Sequence, residues 1–165
     1  DNKKNFKSLI EAVEYMHAKY NLQIVVSTHP RTRKRLEESN YKFHNKSILF
    51  SNPFGFIDYN KLQTNAYCVI SDSGTISEES SIFNQPSVMI RQAHERPEAM
   101  EEGTLIMSGL EKENVINSIN IVTTQNTKKR EIKLVSDYNV NNVSKKVVRI
   151  IFSYTSFVNR VVWQK

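Results

Sequence analysis

At 165 residues the chain has the length of one domain, enough to bury about 70% of its unfolded surface without disulfide or metal staples. A single cysteine, Cys68, excludes an internal disulfide; no metal-ligand spacing surrounds it, no cofactor is expected, and a reducing, cytoplasmic setting fits. No apolar run nears the roughly 20 residues of a membrane span, no signal peptide is expected, and the net charge of +6 is split so that residues 56–125 carry 4 Lys+Arg against 10 Asp+Glu while the excess base lies in the flanks and tail. Sequence-specific nucleic-acid binding is therefore not expected.

Residues 3–20 read as an amphipathic helix, with Phe6, Leu9, Ile10, Val13, Tyr15 and Met16 near helical spacing. A strand over 23–27 follows and ends at Thr28-His29-Pro30, and Pro30 suits the first turn of a short basic helix over 31–38. The spacing predicts a second strand over 48–51, a loop containing Pro53 and Gly55, and a helix over 58–64. A third strand over 67–71 leads through Asp72-Ser73-Gly74 into a helix over 75–84. Strands over 87–91 and 104–107 and a helix over 112–123 complete the alternation. Residues 124–140 read as a polar linker with the charge run Lys128-Lys129-Arg130, and 142–163 as one or two helices. Val143, Val147, Ile150, Ile151 and Tyr154 make an apolar stripe there, extended by Phe157, Val158, Val161, Val162 and Trp163, that suggests a docking element for another domain or another subunit. Short apolar strands separated by helices predict an α/β fold, a Rossmann-like parallel sheet covered on both faces. Two units are expected: 1–125 as the ligand-binding layer sandwich, and 126–165 as linker and terminal helices.

In such sheets ligands sit at the carboxyl ends of the strands. The residues with chemical potential fall there: His29, Phe54 to Tyr59, Ser73 to Glu79, and Arg91 to Glu98. Ser73, Gly74 and Thr75 form a strand-to-helix turn small enough for an anion to reach unpaired amides and the positive helix end. The structural alternative is a plain turn, with Thr75 and Glu78 forming a capping box that is expected in either case. With no Gly-x-Gly-x-x-Gly and no Walker-type lysine, this is neither a dinucleotide fingerprint nor a P-loop. Glu79 either complements the helix dipole or accepts hydrogen bonds from a ribose diol. In Phe54-Gly55-Phe56-Ile57-Asp58-Tyr59, Phe56 reads as a buried anchor and Tyr59 as a ring for a base. Arg96 stands either in a surface ion-pair loop with its flanking glutamates or aimed at a phosphate or sugar. His29 is read as structural or ligand-contacting, and His17 and His44 as incidental. No nucleophile–base pair and no metal cluster is expected.

These residues resemble the non-hydrolysing UDP-N-acetylglucosamine 2-epimerases. The likeness rests on Ser71-Asp72-Ser73-Gly74-Thr75-Ile76-Ser77-Glu78-Glu79, then Pro86, Glu95-Arg96-Pro97-Glu98 and Glu102-Gly103-Thr104, in order and spacing across residues 20–110. The family usually reads Ser-Asp-Ser-Gly-Gly at the turn. Thr75, with Met107 to Gly109 and the ending Val158 to Trp163, is similar to a branch making UDP-N-acetyl-L-fucosamine for capsule and O-antigen.

The resemblance implies the second domain of a two-domain GT-B-type isomerase that inverts C2 of a UDP-N-acetylhexosamine by elimination and re-addition of UDP. It places the main acids and bases outside this chain, so no catalytic residue and no turnover are expected from it alone. It assigns Phe54 and Tyr59 to the uracil region, Ser73, Gly74 and Thr75 to the diphosphate, and Glu79 to the ribose. Arg96 falls to the phosphate or sugar, and His29 to a position near the substrate or effector. The implied partners are the UDP-sugar, the N-terminal domain of the same enzyme, and further copies of the full-length protein. Two other classes fit less well: the donor half of a GT-B glycosyltransferase, which would need an acceptor, and a basic interaction module acting through its tail.

Overall fold

A computed structural model describes residues 3–39, 41, 45–93 and 96–165. Strands and helices alternate from α1 (Lys3–Tyr20) through β1 (Ile24–Ser27), α2 (Pro30–Glu38), β2 (Ile48–Ser51), α3 (Phe56–Asn65) and β3 (Val69–Ser71). They continue through α4 (Ile76–Phe83), β4 (Ser87–Met89), α5 (Glu98–Glu101), β5 (Ile106–Met107) and α6 (Lys112–Val122) to α7 (Val143–Val161). All pairing is parallel: β1 with β2, and β3–β4–β5 in that order. Parallel neighbours need crossovers, and the intervening helices supply them.

The register places adjacent residues on opposite faces. In β4, Val88 joins one core cluster and Met89 the other, both essentially without exposure. The first cluster takes Val13 and Met16 from α1, Ile48 from β2, and Val115, Ile116, Ile119 and Val122 from α6. Both ladders thus share one layer of packing. The second cluster joins Val69, Ile76, Met89, Ala99 and Leu105 beneath α4 and α5. The β3–β4–β5 sheet is covered on both faces, but the β1–β2 pair departs from the expected cover: Ile24, Ile48 and Phe50 face the core while the paired Val25 and Leu49 lie exposed on the other side.

Several boundaries differ from the spacing. Tyr15 is 45% exposed, beside the Lys112 ammonium 5.7 Å from its ring. It precedes buried Met16, and one residue turns the helix by about 100°. The predicted 67–71 strand starts at Val69, because Tyr67 faces solvent against the Tyr20 ring. Strands expected over 87–91 and 104–107 pair only over Ser87–Met89 and Ile106–Met107. The helix expected over 58–64 begins at Phe56, directly after the extended N-cap Gly55. α4 stops at Asn84, whose φ of 54° puts it in the left-handed region that asparagine tolerates.

The stretch read as a linker is fastened to α4. Arg130 donates from Nη1 to the Ser81 carbonyl at 2.7 Å and from Nη2 to the Ile82 carbonyl at 3.0 Å. Such carbonyls at a helix end have no intrahelical partner. The Val135 amide donates to Ser81 Oγ at 3.0 Å, and Val135 is buried. Replacing Arg130 with Ala is expected to lower stability by about 1 kcal/mol, seen as a melting midpoint about 2–4 °C lower. An unchanged midpoint would make this stretch a free connector after all. Beyond it, α7 is one continuous helix, and Val143, Val147, Ile150, Ile151 and Tyr154 all lie exposed along it. Among the described residues no helix is long and apolar enough to cross a membrane.

Candidate functional site

The corner between β3 and α4 is held from below and open above. Ile76 and Ser77 are buried under the first turn, whereas Asp72, Ser73 and Thr75 are exposed. The Ser73 amide donates to Ser71 Oγ at 3.0 Å, and the Thr75 amide reaches Ser73 Oγ at a long 3.4 Å. The Ser73 and Thr75 hydroxyls lie 3.0 Å apart. The Gly74 amide makes no hydrogen bond among the described residues. Small side chains thus build a turn whose central donor is left unpaired among the described residues at the positive end of an eight-residue helix.

The expected capping box does not form. Thr75 has φ −67° and ψ −16°, already helical, and its side chain caps nothing. A capping residue needs an extended backbone to fold back over the first turn. Glu78 binds Arg96 instead, with Nε 2.9 Å from Oε1. A charge-assisted bond of this kind is stronger than one to a neutral amide. The other carboxylate oxygen, Oε2, is buried with no hydrogen-bond partner among the described residues.

Arg96 lies across the turn. A Cβ added at Gly74 would collide with Arg96 Nη1, and Arg91 Nη1 stands 3.9 Å from the same point. Gly74 is thus required for close approach rather than for an unusual φ. Two guanidinium groups converge on the positive mouth of a helix, offset by one carboxylate, and Arg91 has no ion-pair partner among the described residues. That excess of positive charge suits an anion with several oxygens. From sequence, Arg91 falls among the strand-end residues with chemical potential but receives no role of its own; the strand stops at Met89, which puts Arg91 beyond its end beside Gly74. His94 and Glu95 lie outside the described residues, as does His44.

A second group flanks this mouth. Gln63 of α3 donates from Nε2 to Glu79 Oε2 at 2.9 Å, and Gln85 Nε2 donates to Gln63 Oε1 at 3.2 Å. One turn earlier on α3, Tyr59 is half-buried; burial first and the Glu79 carboxylate second push its phenol above the ordinary range, while Gln63 pulls the other way. Tyr59 thus lies within electrostatic reach of Glu79. Phe54 is half-buried just ahead of α3. Phe56, expected as a buried anchor, is 84% exposed, and Ile57 80%, because α3 starts two residues early and carries both into its first turn at the open end.

His29 is exposed at the carboxyl end of β1 and caps α2, with Nδ1 accepting from the Arg31 amide at 3.2 Å. That bond leaves the ring proton of neutral His29 on Nε2. No hydrogen bond or ion pair among the described residues joins His29 or Phe54 to the groups around Gly74 and Glu79. His17 Nδ1 lies 2.8 Å from the Leu22 carbonyl, a local contact at the end of α1. Burial pushes the Cys68 thiol up to about 12, so it is no nucleophile at neutral pH. Among the described residues no group of three or more His, Cys, Asp or Glu could hold a metal. The arrangement can bind and polarise an anionic ligand.

A family model described as UDP-N-acetylglucosamine 2-epimerase matches residues 1–152. The UDP-N-acetylglucosamine 2-epimerase of Methanocaldococcus jannaschii is 34% identical over 154 residues, 92% of this chain and 41% of that protein. The solved UDP-N-acetylglucosamine 2-epimerase from Rickettsia bellii is 47% identical with a TM-score of 0.88, covering 100% of this chain and 45% of that one. The M. jannaschii enzyme in complex with UDP-GlcNAc and UDP is 31% identical with a TM-score of 0.83, covering 93% and 42%. The chain thus spans less than half the length of these relatives, and its α/β fold is that of one part of a GT-B-like epimerase.

Proposed function

The chain belongs to the UDP-N-acetylglucosamine 2-epimerase family, and from that premise we propose that it is the UDP-binding half of a nucleotide-sugar 2-epimerase. The observation that carries the reading is the free Gly74 amide at the mouth of α4, with Arg91 and Arg96 converging on it. In this reading the amides of Ser73, Gly74 and Thr75 and the two guanidinium groups take the diphosphate. Glu79 accepts from the ribose hydroxyls. Phe54 and Tyr59 pack beside uracil, and His29 stands near the sugar or an effector. The solved relative that holds UDP-GlcNAc and UDP supports the ligand class.

Inversion at C2 proceeds by elimination of UDP and its re-addition after reprotonation. Negative charge develops on the diphosphate as the C1–O bond breaks. Fixed amides, a helix end and guanidinium groups stabilise that charge without reorganising. The acids and bases that move the C2 proton belong to the N-terminal domain, against which the apolar side of α7 docks. Residues 1–165 alone turn over no substrate. The full-length enzyme is cytoplasmic and assembles with further copies of itself. The substrate is a UDP-N-acetylhexosamine of the GlcNAc/ManNAc type, or the 6-deoxy sugar leading to L-FucNAc, for bacterial surface polysaccharide.

Titration of isotope-labelled protein with UDP is the direct test. The amide signals of Ser73, Gly74 and Thr75 are expected to move, Gly74 most. UDP that leaves all three unmoved would overturn the reading, and epimerisation by residues 1–165 alone would overturn the division of labour.

A further inference from the structure

We propose that Gln63 is a positioning residue for nucleotide recognition, the middle member of a buried amide relay that aims the Glu79 carboxylate. This rests on the reading of Glu79 as the ribose acceptor. Gln63 is 3% exposed and Gln85 5%. Primary amides at that depth are costly unless their hydrogen bonds are met. Here the bonds run in one direction. A carboxylate can only accept, so Gln63 must turn its NH2 toward Glu79 Oε2, 2.9 Å away. Its Oε1 then faces Gln85, which must answer with its own NH2 at 3.2 Å. The far end of the relay, Gln85 Oε1, is left buried with no partner among the described residues. A relay placed only for packing would gain nothing from leaving an amide oxygen stranded at its end; the polarity follows from the carboxylate.

The consequence for Glu79 is geometric. With Oε2 held by Gln63, the carboxylate is restrained in its rotation, and Oε1 makes no hydrogen bond among the described residues. Glu79 sits in the first turn of α4, next to the amides around Gly74. A diol on the sugar attached to a diphosphate held there meets a carboxylate already oriented, with less rotamer freedom to lose on binding.

The test compares UDP, 2′-deoxy-UDP and inorganic diphosphate by calorimetry on the intact protein. Gln63→Met keeps length and volume but removes the donor. It is expected to weaken UDP about tenfold, to leave inorganic diphosphate unchanged, and to shrink the preference for UDP over 2′-deoxy-UDP severalfold. Because Gln63→Met strands the Gln85 donor, the double variant Gln63→Met with Gln85→Leu is measured alongside. Recovery of thermal stability in the double variant without recovery of ribose preference separates aiming from packing. Equal losses for UDP and inorganic diphosphate, or an unchanged ribose preference in both variants, would overturn the role of Gln63 while leaving UDP binding intact. Absence of any ribose preference in the parent protein would overturn the Glu79 assignment and Gln63 with it.

Discussion

Alanine at Gly74 is expected to weaken UDP by about 30- to 150-fold, the loss of about 2–3 kcal/mol of charge-assisted binding. Stability should stay within about 1 kcal/mol of the parent, the range of a tolerated substitution. The two effects separate for a structural reason. Gly74 is not in the left-handed region, so its backbone admits a Cβ. What the Cβ meets is Arg96 Nη1, the far end of a flexible side chain. The fold yields by moving Arg96. That movement strains its 2.9 Å bond to Glu78 and withdraws the guanidinium from the mouth of α4. The methyl also occupies the approach to the free amide. Calorimetric titration with UDP and a thermal melt on the same variant check both halves. A variant that keeps UDP affinity would show that the anion does not sit on Gly74.

Glu79→Gln is expected to weaken UDP by about 10- to 100-fold and to leave inorganic diphosphate unaffected. The substitution keeps size and place but removes the charge that makes a hydroxyl-to-carboxylate bond strong. It also puts an amide opposite the Gln63 NH2, which now finds a donor or a neutral oxygen where it had a carboxylate. Both changes act on the ribose end of the ligand, and the diphosphate contacts around Gly74 and Arg96 remain. Parallel titrations with the two ligands distinguish the cases: equal losses would remove the ribose assignment and return Glu79 to a helix-dipole role.

Order along the chain was legible from local pattern alone. Pro30 opens α2 as its fixed φ suits, the small residues from Ser71 to Thr75 turn β3 into α4, and the stripe from Val143 to Tyr154 lies exposed on one continuous helix. These features need only neighbours a few positions away, so periodicity and residue size report them. What the sequence could not display were pairings set by packing between distant segments. Glu78 looked like a capping partner for Thr75, three residues back, and was claimed by Arg96 across the site. Gln63 of α3 meets Glu79 of α4 and Gln85 of the turn after α4 through side-chain bonds that span 16 and 22 residues of sequence. Arg130 reaches α4 from 48 and 49 residues away, which turns a nominal linker into a strap. The corner proposed to hold the diphosphate was thus readable as a small-residue turn with unpaired amides, of which the fold leaves that of Gly74 without a partner among the described residues. The positive charge that completes it became visible only once the parallel order of β3 and β4 set Arg91 and Arg96 over Gly74.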